Sequence, residues 1–261
     1  MLTLYEHPLS PYAQKVKIAL REKGAPFEAK MPGGIGAGGA SGEFAEANPR
    51  AEVPVLIDGE TRIFDSTIIL EYIEDKWPAP ALLPETPAGR ARIRMIEDVC
   101  DTHYEAINWG LGEIGWFRRA EGKLGETLRE RAAEQTERLQ AWLARQLGAR
   151  DWFNGASFGW GDLAVAPFVN TSAGFGNAPD EGSALGRWFA RAKARKSVAL
   201  TLKEAAASIA GMEVVANILE QGLFKREYRD HRLEWMIKSG GIEVVLKGLE
   251  KNNIRFSADF E

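Results

Sequence analysis

The prolines of Pro78-Ala79-Pro80-Ala81-Leu82-Leu83-Pro84-Glu85-Thr86-Pro87 divide this chain into two unlike parts. Each proline lacks an N–H and fixes φ, so neither a helix interior nor a central strand runs through the stretch, which reads as a linker over 78–88. Ahead of it strands and helices alternate. Behind it strand signals vanish and helical periodicity takes over. The expected fold is therefore α+β over residues 1–77 and all-α over 89–261.

Within the first part, Leu2 to His7 reads as a short strand, and Tyr12, Val16, Ala19 and Leu20 recur at helical spacing up to Gly24. Phe27 marks a second strand. The three elements make a β-α-β unit, whose strands should be parallel and whose crossover right-handed. Val53 to Ile57 and Thr61 to Phe64 form a hairpin across Asp58-Gly59, and from Ser66 a helix carries Ile69, Tyr72, Ile73 and Trp77 on one face. Between these halves Met31 to Glu43 holds six glycines and is expected to be a loop. It lacks the Gly-Lys-Ser/Thr ending of a phosphate loop.

In the second part, Ile93, Ile96, Cys100 and Ile107 share a helix face, and further helices are expected over 126–147, 160–169, 185–194 and 199–223. Residues 224–261 form a C-terminal extension, expected to pack against the helices in preference to closing over a pocket as a lid. Composition restricts function. A net charge of −4 gives no concentrated excess of Lys and Arg for nucleic acid, and the run from Arg187 to Lys196 reads as a solvated helix face around Trp188 and Phe189. A single cysteine excludes an internal disulfide, which makes a cytoplasmic location the expectation. Three histidines argue against a metal site, and neither a signal peptide nor a membrane span is expected. Cys100 reads as a buried inert thiol, and Glu97, Asp98, Asp101 and Glu105 as a solvated acidic stripe.

Three segments carry candidate chemistry. Ser10-Pro11 suits the last non-helical and first helical positions, and that geometry aims the Ser10 hydroxyl and free backbone donors beyond the strand end, where an anion or thiolate is stabilised. Pro54 at a strand entrance leaves an open edge, where the amide and carbonyl of Val53 can pair with an extended peptide. Asp65 and Ser66 start a helix. Besides capping it, free N–H groups with the Ser66 hydroxyl suit a ligand carboxylate, while Asp65 suits an ammonium. A site with both ends beside an open strand edge fits an amino acid or peptide.

In that order and spacing, Ser10-Pro11-Tyr12, Val53-Pro54 and Asp65-Ser66, followed by Phe158-Gly159-Trp160-Gly161-Asp162-Leu163-Ala164, resemble a glutathione transferase. The Ser-Pro-aromatic form is similar to the tau class, beside the cysteine-bearing omega and etherase-like classes. The resemblance implies a thioredoxin-like first domain, a helical second domain, a homodimer, and glutathione as cosubstrate with no metal. Ser10 would be the activating residue, Val53 before a cis Pro54 would pair with the cysteinyl backbone, and Asp65 and Ser66 would hold the γ-glutamyl end. Tyr12, Tyr104, Asn108 and Trp116 would line a pocket for a hydrophobic electrophile. Gly159 stands where the family commonly places a Ser or Thr cap. The same fold also serves lyases, isomerases and non-enzymatic interaction proteins.

Overall fold

In a computed structural model, which describes residues 1–33, 42–221, 231–251 and 253, a four-stranded sheet is followed by a run of helices. The strands are β1 (Leu2–Tyr5), β2 (Phe27–Lys30), β3 (Val55–Asp58) and β4 (Thr61–Phe64), in the order β2-β1-β3-β4. β1 runs parallel to β2 and antiparallel to β3, which pairs antiparallel with β4. The β-α-β unit and the hairpin both form where the sequence places them. Helix α1 (Pro11–Glu22) makes the crossover, α2 (Gly42–Ala47) precedes β3, and α3 (Ser66–Lys76) follows β4.

Strand alternation decides what each face of the sheet covers. Leu4 and Leu56 join Val16, Ala19 and Leu20 of α1 and Ile69, Leu70 and Ile73 of α3 in the main core. Val55 and Ile57 point the other way, where Phe44 and Ala47 of α2 cover them. β3 begins at Val55, so Val53, expected to open the strand, lies outside the ladder, and the Val53-Pro54 bond is cis. Residues 34–41 of the expected glycine-rich loop lie outside the described residues, and the loop's far end already belongs to α2.

The helical part comprises α4 (Pro87–Val99), a π-helical turn (Cys100–Tyr104), α5 (Glu105–Gly115), α6 (Gly122–Leu147), α7 (Trp160–Gly174), α8 (Ala184–Ala194) and α9 (Lys196–Ile209). α10 (Met212–Glu220), α11 (His231–Lys238) and α12 (Ile242–Glu250) follow. Pro87 opens α4, so the stretch expected as linker ends inside a helix. Gly211 breaks the helix expected over 199–223 into α9 and α10. Helix α1 packs on α7 and α9, which makes one core continuous from Leu4 to Trp160, Leu163 and Trp188. This is a thioredoxin-like sheet domain joined to a helical domain. Among the described residues no helix is long and apolar enough to cross a membrane.

The start of α7 resolves the missing cap. A Cβ at Gly159 would collide with the Asn154 amide and the Leu82 carbonyl. Asn154 Oδ1 accepts the N–H of Gly161 at 3.1 Å, taking up an orphan donor of the first turn that a Ser or Thr at 159 would otherwise serve. Asp162 completes the start, accepting from the backbone of Phe153 and Gly159 and from Trp188 Nε1 at 2.7–3.0 Å. Burial nevertheless pushes its carboxyl up to about 6. In the C-terminal extension α11 and α12 contact each other, and Trp235, Ile237, Val244 and Leu246 are exposed, against the expectation that they are covered by the helices. Residues 222–230 and 254–261 of that region lie outside the described residues.

Candidate functional site

The sheet register gathers the three segments at one end. Tyr5, the last residue of β1, stands opposite Val55, the first of β3, and Val55 stands opposite Phe64, the last of β4. The chain therefore leaves β1 toward Ser10, enters β3 from Val53-Pro54 and leaves β4 into Asp65-Ser66, all at the same edge of the sheet. The helices α1 and α3 both begin there, so their free backbone donors and positive dipole ends face one region.

Ser10 caps α1, its Oγ accepting the N–H of Ala13 at 3.3 Å, and it remains half-exposed. His7 shapes the turn before it: its carbonyl accepts the Ser10 N–H at 2.8 Å and its Nδ1 accepts the Leu9 N–H at 3.2 Å. Burial pushes the imidazole below its ordinary range, so it is neutral at pH 7 with its proton on Nε2.

Asp65 caps α3, its Oδ1 accepting from Thr67 N at 3.0 Å and Ile68 N at 3.3 Å. Its φ is +76°, a value that costs an L-residue on the order of 1–3 kcal/mol and that clusters at functional sites. Ser66 behind it is buried. The segment before Val53 is organised by Asn48, also buried, whose side chain accepts from Arg50 N at 2.9 Å and donates to the Glu52 carbonyl at 2.8 Å. Arg50 reaches across to Asp65 Oδ2 at 3.7 Å and lies over the Phe64 ring. Neither role was drawn from the sequence. An Asn that bonds its own chain two residues on is a turn signal that was available there.

The acidic stripe is corrected. Glu97 and Asp101 are not solvated. They share the ammonium of Lys15, which is fully buried and lies 2.8 Å from Glu97 Oε1 and 2.6 Å from Asp101 Oδ2. Glu97 also accepts from Trp160 Nε1 at 2.5 Å and from Thr67 Oγ1 at 3.1 Å. This cluster pins the first turn of α3 to α1, α4 and α7. Burial and the neighbouring Glu97 push the Asp101 carboxyl up, to about 6, against the pull of Lys15. The π-turn presents the Asp101 carbonyl to the Tyr12 hydroxyl at 2.6 Å, which fixes Tyr12 with its ring edge against Phe168. π-turns recur at such places.

The residues expected to line a pocket separate. Tyr12 remains half-exposed beside the Ser10 turn. Tyr104 is wholly buried, hydrogen-bonded to Ser172 at 2.7 Å and to Gln140 at 3.2 Å, and Asn108 is buried against the Phe168 carbonyl. Both belong to the helical core. Trp116 packs on Phe175 at the far end of α5. Cys100 is fully buried, and burial raises its thiol, as an inert cysteine requires.

Comparison with known proteins agrees with this geometry. Residues 4–81 match the model of the glutathione S-transferase N-terminal domain. Glutathione S-transferase U28 of Arabidopsis thaliana is 33% identical over 202 residues, covering 75% of this chain and 85% of its own. A stringent starvation protein A homolog of Coxiella burnetii is 36% identical over 96 residues, covering 37% of this chain and 44% of its own. Among solved structures, a glutathione S-transferase of Methylobacterium radiotolerans in complex with glutathione sulfonate superposes with a TM-score of 0.63 at 31% identity, over 77% of this chain and 93% of that one. With a relative above 30% identity matched over most of its length, on a sheet whose register gathers Ser10, Val53-Pro54 and Asp65-Ser66, the chain belongs to the glutathione transferase superfamily.

Proposed function

We propose that this protein binds glutathione at the gathered sheet end and presents its sulfur as a thiolate to a hydrophobic electrophile. The observation that carries the reading is the Tyr5-Val55-Phe64 register, which brings a hydroxyl, an unladdered Val53 backbone and a capped helix start to one edge. Val53 pairs with the cysteinyl backbone as an added strand does, and Asp65 and Ser66 hold the γ-glutamyl end. Ser10 donates a hydrogen bond from its hydroxyl to the sulfur while the α1 start adds a field favouring the anion. The thiol's proton leaves to solvent, and the thiolate displaces a halide or ether oxygen from the electrophile.

The magnitudes agree. A thiol with a pKa near 8.5 is a few per cent thiolate at pH 7, and lowering that pKa by ~2 units takes about 2.7 kcal/mol. A charge-assisted hydrogen bond and a helix start supply that order. Tyr12 forms the wall nearest the sulfur, and the protein works as a homodimer in a cytoplasmic setting.

The similarity to a stringent starvation protein A homolog favours a second reading, an interaction protein on the same fold. Retention on immobilised glutathione, followed by turnover of glutathione with 1-chloro-2,4-dinitrobenzene, separates the two. Retention with turnover that falls at least about tenfold in Ser10→Ala is expected of the transferase. No retention and no turnover is expected of the interaction protein.

A further inference from the structure

The first turn of α3 spends most of its donors on its own cap. Asp65 Oδ1 takes the N–H groups of Thr67 and Ile68, and the Asp65 carbonyl takes that of Ile69 at 2.9 Å. The Thr67 hydroxyl goes to Glu97. For a ligand carboxylate this turn therefore keeps Ser66, which is buried. Asp65 Oδ2 takes no part in the cap and is left for an ammonium. An α-amino acid carries both charges on one carbon, so binding its ammonium at Oδ2 calls for a cation close by to meet its carboxylate.

Arg50 stands in that place. Its Nη2 lies 3.7 Å from Asp65 Oδ2 and its Nε 3.4 Å from Glu52 Oε2. Both separations exceed the roughly 2.7–2.9 Å of a charge-assisted hydrogen bond, so the guanidinium is held near without spending its fork of donors. The Phe64 ring, 5.0 Å away, supports it from one side. The turn that carries it is built by Asn48, which is 1% exposed and bonds both the Arg50 N–H and the Glu52 carbonyl. The Ala51 N–H closes that turn on the Asn48 carbonyl at 2.9 Å, with φ at Ala51 of +53°. Such a backbone is unfavourable for a residue with a Cβ, and it clusters at ligand sites. Two of the three non-glycine residues with positive φ among the described residues, Ala51 and Asp65, thus lie on the two segments that Arg50 joins.

We propose that Arg50 is a specificity-determining residue, which takes the α-carboxylate of the ligand's γ-glutamyl group beside Ser66 while Asp65 takes the ammonium on the same carbon. The assignment rests on the glutathione reading of this sheet end. A negative and a positive group 3.7 Å apart on the protein match a positive and a negative group on one carbon of the ligand. A ligand that keeps the amine and lacks the acid satisfies half of the pair. The glycine carboxylate, at the other end of the tripeptide, is not the target.

Calorimetric titration of the full-length protein at pH 7 with three thiol ligands tests the proposal. They are glutathione, 4-aminobutanoyl-cysteinyl-glycine, which keeps the ammonium and lacks the α-carboxylate, and γ-glutamyl-cysteinyl-glycinamide, which lacks only the charge at glycine. Wild type should bind the 4-aminobutanoyl compound at least about tenfold more weakly than glutathione, because a charge-assisted pair is lost. Arg50→Gln should weaken glutathione and the glycinamide alike by about tenfold, and the 4-aminobutanoyl compound by less than about twofold. Arg50→Lys, which keeps the charge without the fork, should weaken glutathione about threefold. A merely structural Arg50 would weaken all three ligands alike. That result, or glutathione affinity unchanged in Arg50→Gln, or a glycinamide insensitive to the change, would overturn the assignment and leave the glutathione reading standing. Absence of glutathione binding in wild type would overturn both.

Discussion

Lys15 pairs with Asp101 at 2.6 Å while also serving Glu97, so one buried ammonium is divided between two carboxylates. The excess negative charge and the burial together make Asp101 hold its proton up to about 6 in the folded chain, against about 3.9 in an unfolded one. Between those values the folded state keeps a proton that the unfolded state has lost. The Asp101 contribution to stability therefore falls as pH rises from about 4 to about 6, and is constant above. The unfolding free energy of wild type relative to Asp101→Asn, measured in urea from pH 4 to 7, should decline by on the order of 2 kcal/mol across that window. A difference flat with pH would show that Asp101 does not titrate there.

Asn154 fills the space that a side chain at position 159 would need, and caps the helix that such a side chain would have capped. Restoring the family's usual residue with Gly159→Ser should thus destabilise the protein, by about 1–3 kcal/mol, although serine is the better cap in isolation. Combined with Asn154→Ala, the share of the loss due to the Asn154 amide should return, while the share due to the Leu82 carbonyl stays. Additive losses in the double variant, read from chemical denaturation, would contradict the shared cap.

At Asp65 the cap and the charge separate. Asp65→Asn keeps an oxygen for Thr67 and Ile68 and tolerates the positive φ, so its melting temperature should stay near wild type while glutathione affinity falls at least about tenfold. Asp65→Ala loses cap and backbone tolerance together and should cost about 2 kcal/mol or more. Calorimetric binding and thermal melts on both variants check this. Unimpaired affinity in Asp65→Asn would remove the carboxylate from ligand recognition.

Ser10→Cys places a thiol at a helix start, where the thiolate is favoured and attacks disulfides. The variant should gain reduction of a glutathione mixed disulfide that wild type lacks. The native protein has no substitute, because Cys100 is buried with its thiol raised. A wild-type rate equal to the variant's would sink the role assigned to the hydroxyl.

Local rules made most of the fold legible. Asp58-Gly59 announced the hairpin and Ser10-Pro11 the start of α1. The three site segments lie at turns, where residue type has a direct backbone reason. What sequence missed depends on long-range contacts. Glu97 reads as one more acid on a helix until Lys15, Thr67 and Trp160 arrive from three other elements. Tyr104 and Asn108 enter the pocket expectation through the family resemblance alone, and what buries them is contact with Ser172, Gln140 and Phe168 on other helices, which no local pattern shows. The Asn154 cap was equally invisible, since its partners are five and seven residues away in sequence and Leu82 seventy-two.

The central claim is that Ser10 stabilises a glutathione thiolate at this sheet end. Ultraviolet titration of the thiolate in the glutathione complex, wild type against Ser10→Ala, tests it most directly. The account predicts a bound thiol pKa about 2 units below the free value near 8.5 in wild type, and a return of at least about one unit toward it in the variant. A bound pKa equal in the two proteins, or no depression in wild type, would contradict it.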